Sequence, residues 1–120
     1  MPVRVLVIED NAQNMYLMKF LLEQNGFAIL QAMDGPAGIA QAKEHAPDLI
    51  LLDIQLPGMN GYQVAEALTR PDSGNKAPII AVTSYAMVGD KEKALSSGCK
   101  GYIEKPINPE TFITEIKKYL

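Results

Sequence analysis

Apolar residues in this 120-residue chain follow two alternating patterns. Five short runs are rich in apolar residues, and the most continuous of them, at 3–8, 49–53 and 78–83, are typical of strands that are buried on both faces. These runs cover residues 3–8, 27–32, 49–53, 78–83 and 102–105. The segments between and after them space their apolar residues three or four apart, which predicts helices over about 11–25, 35–44, 62–69, 87–97 and 109–120.

Alternation of strands with helices predicts a parallel sheet, because neighbouring parallel strands need a helical crossover. We expect an α/β fold in which a doubly wound, five-stranded sheet of order 2-1-3-4-5 carries five helices, the flavodoxin-like arrangement. The length fits a single domain over residues 1–120, without a repeat or linker. Met1 directly precedes the first strand and the last helix reaches Leu120, so we expect a natural start and a stand-alone protein.

The composition limits which binding partners and which cellular compartment we expect for this protein. The chain has 11 basic and 14 acidic side chains, a net charge of −3, and lacks the clustered positive charge that nucleic acid or an anionic membrane surface requires. The single cysteine, Cys99, excludes an internal disulfide and fits a reducing compartment. No apolar run approaches the ~20 residues of a membrane span. We therefore expect a cytoplasmic protein that binds neither nucleic acid nor membrane.

Chemically capable side chains stand where four of the strands end. Glu9 and Asp10 follow the first strand, Asp53 ends the third, Thr83 ends the fourth and Lys105 ends the fifth. Each residue by itself has an ordinary structural explanation. Asp53 could open a turn, and Glu9 and Asp10 could form a solvated helix start. Thr83 could be a β-branched strand residue, and Lys105 a surface lysine. In an open parallel sheet, however, ligands bind outside the carboxyl ends of the strands. Their convergence on one edge therefore favours a functional site.

Three carboxylates at one edge predict a cation, because they would otherwise repel one another. A hard divalent ion with oxygen ligands is the physical answer, and Mg²⁺ suits a site with few protein carboxylates. We expect Asp10, Asp53 and the backbone carbonyl of Gln55 to hold it. Glu9 would bind the ion directly or through water.

The same edge predicts phosphoryl transfer. Asp53 would be the nucleophile that attacks phosphorus and becomes an acyl phosphate. Lys105 would pair with a phosphoryl oxygen as a compact charge, and the hydroxyl of Thr83 would donate to another oxygen.

At this point the chain resembles the response-regulator receiver domains of two-component signalling, over essentially its full length. The motifs that carry the resemblance are VLVIEDN at residues 5–11, DLILLD at 48–53, LPGMNG at 56–61, IIAVT at 79–83 and GYIEKP at 101–106. Within that family, residues 9–14, 84–87 and 106–107 are most similar to single-domain regulators of cell division. The sequence departs from the common pattern at Glu9, where many receivers carry Asp, and at Ser84, where a small apolar residue is more usual.

The resemblance implies Mg²⁺-dependent phosphorylation of Asp53 by the phosphohistidine of a histidine kinase or histidine phosphotransfer protein. It also implies a switch through Thr83 and Tyr102, a cis bond between Lys105 and Pro106, and a downstream protein bound by the fourth helix, fifth strand and fifth helix. Such a protein turns over no external substrate and assists only its own phosphorylation and dephosphorylation. We expect a monomer or a weak homodimer.

The first helix indicates where a phosphodonor would dock. At about 100° per residue, Met15, Met18 and Leu22 fall on a core face, so that Leu17 and Phe20 point outward. Exposed apolar residues are common and need no function, but these lie beside the expected site. The docking surface that we predict comprises Gln13, Asn14, Leu17, Phe20, Pro106 and Ile107.

Two other classes of protein compete with this interpretation. A phosphatase with an aspartyl nucleophile needs a second Asp two residues later as acid and base, but that position is Gln55, which cannot transfer protons. A flavin-binding electron carrier needs a phosphate-binding loop after the first strand, where Glu9 and Asp10 would repel the phosphate.

Overall fold

The computed structural model describes residues 2–56, 58–83 and 89–120. Its five strands form one parallel sheet in the order β2-β1-β3-β4-β5, which confirms the predicted topology. The strands are β1 (Arg4–Ile8), β2 (Ala28–Ala32), β3 (Leu49–Asp53), β4 (Ile79–Thr83) and β5 (Gly101–Glu104).

Within the described residues, five α-helices cover the two faces of this sheet, as predicted. They are α1 (Ala12–Gln24), α2 (Gly35–His45), α3 (Gly61–Thr69), α4 (Asp90–Ser96) and α5 (Phe112–Lys117). The loop between α3 and β4 contains a short 3₁₀ turn, Pro71–Ser73. Helices α4 and α5 are both shorter than the sequence predicted, and the expected start of α4 at residue 87 lies outside the described residues.

The last helix begins later than its sequence indicates. The apolar spacing predicts a helix from residue 109, but α5 starts at Phe112 without a side-chain cap. The Asn108 side chain instead accepts the N–H of Glu110 at 2.9 Å, and its carbonyl accepts the N–H of Phe112 at 2.9 Å. An Asn side chain that closes a local turn competes with helix formation, and here the turn precedes the helix.

The first three helices have side-chain caps that fix where they begin. Asn11 accepts the N–H of Asn14 at 3.0 Å at the start of α1, and Asp34 accepts the N–H of Ala37 at 2.8 Å at the start of α2. Such caps satisfy backbone donors that a helix start leaves unpaired. Of these helices, α1 follows the strand end that carries Glu9 and Asp10, so its cap fixes the start of the helix beside the candidate site.

The core lies in two layers on either side of the central strands. One layer joins the sheet to α1 and α5, and its buried side chains include Met18, Leu22, Leu51, Phe112 and Ile116. The other joins the sheet to α2, α3 and α4, and includes Ile50, Leu52, Val64, Leu68 and Ala94. Alternate residues of β3 therefore enter opposite layers, which explains its continuous apolar run. Among the described helices, none has the length and apolar character to cross a membrane.

Candidate functional site at the carboxyl edge of the sheet

Asp53 is the last residue of the central strand β3 and is 4% exposed. Its Oδ1 accepts the backbone N–H of Gln55 at 2.9 Å, and its Oδ2 lies 3.5 Å from Lys105 Nζ. An Asp that only opened a turn at the surface would be exposed and would need no lysine as a partner, so these contacts argue against that explanation for Asp53. The two contacts hold the carboxylate in a fixed orientation at the edge of the sheet.

Glu9 follows β1 and is fully buried, unlike a solvated helix start. Its Oε1 lies 2.6 Å from Lys105 Nζ, and its Oε2 accepts the N–H of Asn11 at 3.3 Å. The pKa of Glu9 is raised to about 7 as the net result of burial, which raises it most, a hydrogen bond with Asp53, which also raises it, and Lys105, which lowers it. Glu9 is therefore an integral part of the site and interacts directly with Asp53 and Lys105.

Lys105 reaches the site from the residue after β5, and its side chain is 8% exposed. Its backbone N–H donates to the carbonyl of Thr83 at 2.7 Å, which continues the pairing of β5 with β4 past the strand end. The bond between Lys105 and Pro106 is cis, as expected. The Lys105 ammonium lies nearer to Glu9 than to Asp53, an arrangement that the sequence did not predict.

The carboxylates of Glu9, Asp10 and Asp53 form a cluster that could hold a cation. One oxygen from each lies within 4.8 Å of the others, and Asp10 is exposed, so the cluster opens to solvent. Lys105 supplies one positive charge to two buried carboxylates, so a second cation would balance the charge when all three are ionised. Three oxygen donors fit a hard divalent ion such as Mg²⁺.

The two residues expected to switch lie on neighbouring strands. Thr83 is buried at the end of β4, one position beyond the residue that pairs with Asp53. Tyr102 lies in β5, half-buried against the layer that contains α4. Burial raises the pKa of the Tyr102 phenol, and Asp90 and Glu104 raise it further, so the phenol stays protonated at neutral pH.

A contact between α3 and α4 was not predicted. The Tyr62 hydroxyl donates to Asp90 Oδ1 at 3.4 Å, and Lys93 Nζ lies 4.5 Å from the centre of the Tyr62 ring. The partners are far apart in the sequence and belong to no motif, so no pattern in the sequence could have indicated the contact.

The outer face of α1 carries an aromatic pair where the sequence predicted a docking surface. Phe20 is 47% exposed, as expected, and stacks on Tyr16, which is 71% exposed, with ring centres 6.4 Å apart. Leu17 differs from the prediction, because it is partly buried against the core. The spacing of four between the two aromatic residues, which places them on one helix face, could have identified Tyr16.

The other residues predicted to dock a partner lie at different depths. Gln13 and Pro106 are exposed, and Asn14 is half-buried with its N–H bound to the Asn11 cap. Ile107 is 6% exposed and packs in the core with α5 and α1. This corrects the expected surface: Ile107 cannot offer its side chain to a partner, because it packs into the core behind the exposed Pro106.

Comparisons with known proteins agree with this geometry. Residues 5–117 match the family model described as the response regulator receiver domain. The polar-differentiation response regulator DivK of Brucella anthropi is 44% identical over 120 residues, which are all of this chain and 98% of that relative.

Solved structures with the same fold include two that bear on the site. The receiver domain of the sensor histidine kinase PA1611 from Pseudomonas aeruginosa, with a magnesium ion coordinated in its active-site cleft, has a TM-score of 0.89 and 28% identity, covering 99% of this chain and 98% of that one. A chain in the co-crystal structure of the Saccharomyces cerevisiae histidine phosphotransfer protein Ypd1 with the receiver domain of its downstream response regulator Ssk1 has a TM-score of 0.87 and 28% identity, covering 98% and 88%.

Proposed function

The chain belongs to the response regulator receiver domain family of two-component signalling, and from that premise we propose that it is a switch that accepts a phosphoryl group on Asp53. The observation that carries this proposal is the Asp53 carboxylate itself. It is buried at the end of β3, one oxygen is held by the Gln55 N–H, and the other lies 3.5 Å from Lys105 Nζ.

The proposed step transfers the phosphoryl group from a phosphohistidine. An oxygen lone pair of Asp53 attacks phosphorus, the P–N bond to the donor imidazole breaks, and its electron pair returns to the imidazole nitrogen. The product is an acyl phosphate on Asp53. Because such transition states carry charge on the equatorial oxygens, catalysis rests on position and electrostatics. The Lys105 ammonium and the Thr83 hydroxyl would stabilise two of those oxygens.

The acidic cluster would hold Mg²⁺ through Glu9, Asp10, Asp53 and the backbone carbonyl of Gln55. When bound, the ion supplies positive charge that neutralises the phosphoryl oxygens. The magnesium in the cleft of the similar PA1611 receiver supports this assignment. Glu9, which has a longer side chain than the Asp that many receivers carry there, would have a second role besides holding the ion, because it also contacts and orients Lys105.

The output of the switch would be a change in partner binding. A phosphoryl group adds about −1.5 to −2 charges and new acceptor oxygens. Thr83 and Lys105 would move toward it, and Tyr102 would rotate with them, which changes the face formed by α4, β5 and α5. In this proposal the protein is a cytoplasmic stand-alone regulator without turnover of an external substrate, and a downstream protein binds that face.

A histidine kinase or histidine phosphotransfer protein would dock beside the acidic cluster. The stacked rings of Tyr16 and Phe20 give α1 an exposed apolar surface, and Gln13 and Pro106 extend it. The co-crystal structure of Ypd1 with a receiver domain supports a partner of this class.

Acetyl phosphate with Mg²⁺ tests the proposal directly. Intact-mass measurement should show one added phosphoryl group, which is lost in Asp53→Asn because an amide is not a nucleophile. Asp48→Asn removes the same charge at the opposite end of β3 and should leave the phosphoryl signal unchanged. A full Mg²⁺-dependent signal in Asp53→Asn would overturn the assignment.

Replacing the donor by a phosphorylated histidine phosphotransfer protein extends the same assay to docking. Phe20→Ala should slow transfer from this protein while leaving labelling by acetyl phosphate nearly unchanged. Leu120→Ala is the matched control, because Leu120 is also exposed but lies at the end of the chain. Equal loss with both donors would indicate damage to the fold instead of a docking defect.

A further inference from the structure

A groove of about 560 Å³ runs across β5 between α4 and α5. Tyr102 and Ile103 of β5 line it together with Pro106 and with Phe112 at the start of α5. Tyr102 is half-buried and Pro106 is exposed, so these two offer apolar surface to a partner. Since Tyr102 is also an expected switch residue, its movement would change the shape of the groove.

The walls of this groove are acidic. Glu92, Glu104 and Glu115 line it, and Lys91 is the one basic residue that does so in the described part of the chain. Glu92 and Glu104 are exposed, and Glu115 is half-buried. The groove therefore has an excess of two negative charges. Residues 84–88, which the structure does not describe, contain no lysine, arginine, aspartate or glutamate and do not alter this balance.

Two basic side chains adjacent to the groove in sequence are engaged elsewhere. The Lys93 ammonium lies over the Tyr62 ring at the junction with α3. The Lys105 ammonium contacts Glu9 and Asp53 at the carboxyl edge of the sheet. Neither lines the groove, so the excess negative charge is available to a partner.

We propose that the downstream partner of this face presents a basic segment, rich in Lys or Arg, with an apolar side chain that packs on Tyr102 and Pro106. This inference rests on the proposed function and adds the chemical class of the partner. Opposite charge across an interface increases the rate of association and excludes partners of like charge.

The same charges disfavour the other occupants of the groove. A symmetric homodimer through this face would set three glutamates of one copy against the same three of the other. Nucleic acid would bring phosphates against these carboxylates. A basic protein segment meets neither penalty.

Selection from a library of random short peptides tests the proposal. The bait is the chain activated with beryllofluoride, a phosphoryl analogue, and the selected peptides are then measured by fluorescence anisotropy. We expect enrichment of Lys and Arg over Asp and Glu, and affinity that falls as salt is raised.

Charge reversal in the groove provides the matched comparison. One exposed ion pair changes affinity by roughly 1.5- to 5-fold. Charge reversal removes an attraction and adds a repulsion of similar size, so Glu92→Lys and Glu104→Lys should each weaken binding of the selected peptides by more than about twofold. Glu23→Lys makes the same change of net charge on the exposed end of α1, away from the groove. It should leave the affinity within twofold, roughly the smallest effect of one such pair.

The outcomes separate this inference from the proposed function. Selection of acidic or uncharged peptides, or of none, would overturn the proposal of a basic partner. An equal loss of peptide affinity in Glu23→Lys and Glu92→Lys would overturn it too. If the activated chain self-associates and this prevents peptide binding, the groove is occupied by a second copy of the chain. That result would also overturn the proposal. Labelling of Asp53 by acetyl phosphate is measured on the same protein preparation before beryllofluoride is added. Its presence without a preference for basic peptides rejects only this inference, whereas its absence rejects the proposed function.

Discussion

Helices α3 and α4 lie side by side on one face of the sheet, yet they are anchored in different ways. Helix α3 begins with a reciprocal capping box, in which Asn60 accepts the N–H of Gln63 and Gln63 accepts the N–H of Asn60, both at 3.0 Å. It buries Val64, Ala65 and Leu68. Cap and core together fix the helix that follows the Asp53 loop.

Helix α4 has much weaker support. It is 7 residues long, begins after Gly89 without a side-chain cap bond, and buries only Ala94 among its own residues. Its Leu95 is 44% exposed and does not pack into the core. Short helices in water draw their stability from tertiary packing, so α4 should open at a lower free energy than α3. The contrast favours a rigid role for the region that follows Asp53 and a movable role for α4.

The largest expected effect comes from glycines at the two helix starts. A Cβ at Gly61 would lie 2.4 Å from Ile54 Cα and 2.7 Å from the Asp53 carbonyl oxygen, both backbone atoms. Gly61→Ala should therefore lower the free energy of unfolding by roughly 3 kcal/mol or more, since overpacking against backbone cannot relax easily. Urea unfolding monitored by circular dichroism measures this change.

Gly89→Ala is the counterpart at the start of α4. Gly89 has a φ of +93°, and a Cβ there would meet no atom of the described residues within 4 Å. Its cost should be about 1–2 kcal/mol from the left-handed backbone alone. A loss in Gly89→Ala equal to that in Gly61→Ala would show that both helix starts are equally fixed and would contradict the comparison.

The second prediction concerns the pH dependence of stability that the buried Glu9 of the candidate site should cause. The pKa of Glu9 is about 7 in the folded chain against an ordinary value of 4.5, so the folded state binds more protons between these values. Without divalent cations, stability should fall by roughly 2–3 kcal/mol as pH rises from about 5 to 8. The groups that face Glu9 are Asp53, Lys105 and Asp10.

Glu9→Gln is the control for that titration, because an amide of similar size carries no proton to lose. The fall in stability should flatten in this variant, and Mg²⁺ should restore stability at pH 8 in the wild type, since metal binding needs ionised ligands. Chemical denaturation across the pH series gives both results. Stability that rises with pH in the wild type, or a fall that persists in Glu9→Gln, would contradict the assignment.

The sheet was predictable because its signal is local and strong. The central strands β3 and β4 are buried on both faces, and each reads as a continuous apolar run whose last residue is Asp53 or Thr83. Parallel topology then brings the strand ends together whatever the side-chain conformations are. The convergence of Glu9, Asp10, Asp53 and Lys105 at one edge therefore followed from the order of the elements.

Contacts that depend on side-chain conformation or on distant partners were not predictable. The Lys105 ammonium lies 2.6 Å from Glu9 and 3.5 Å from Asp53. This small difference depends on the conformation of a long flexible side chain, which no sequence motif determines. The start of α5 was misjudged because Asn108 can cap a helix or close a turn with equal local chemistry. Burial of Ile107 depends on packing between α1 and α5.

The smallest expected effect lies at the contact between the two compared helices. Tyr62→Phe removes a 3.4 Å hydrogen bond to Asp90 and keeps the ring, whereas Lys93→Met removes the cation over that ring and keeps an apolar stem. A cation–π contact at an exposed site is worth about 0.5–1 kcal/mol. Exchange of the α4 amides should therefore accelerate roughly 2- to 5-fold in Lys93→Met, and less in Tyr62→Phe because the bond is long.

Hydrogen exchange resolved by residue checks this prediction, and Lys91→Met supplies the control. Lys91 is an exposed lysine of the same helix that lines the groove instead of the Tyr62 ring, so its replacement changes charge and helix propensity equally. The α4 amides should respond to Lys93→Met and much less to Lys91→Met, while the α3 amides, held by cap and core, stay protected in both. Faster exchange in α3 than in α4 would reverse the comparison, because α3 would then be the helix that depends on the contact.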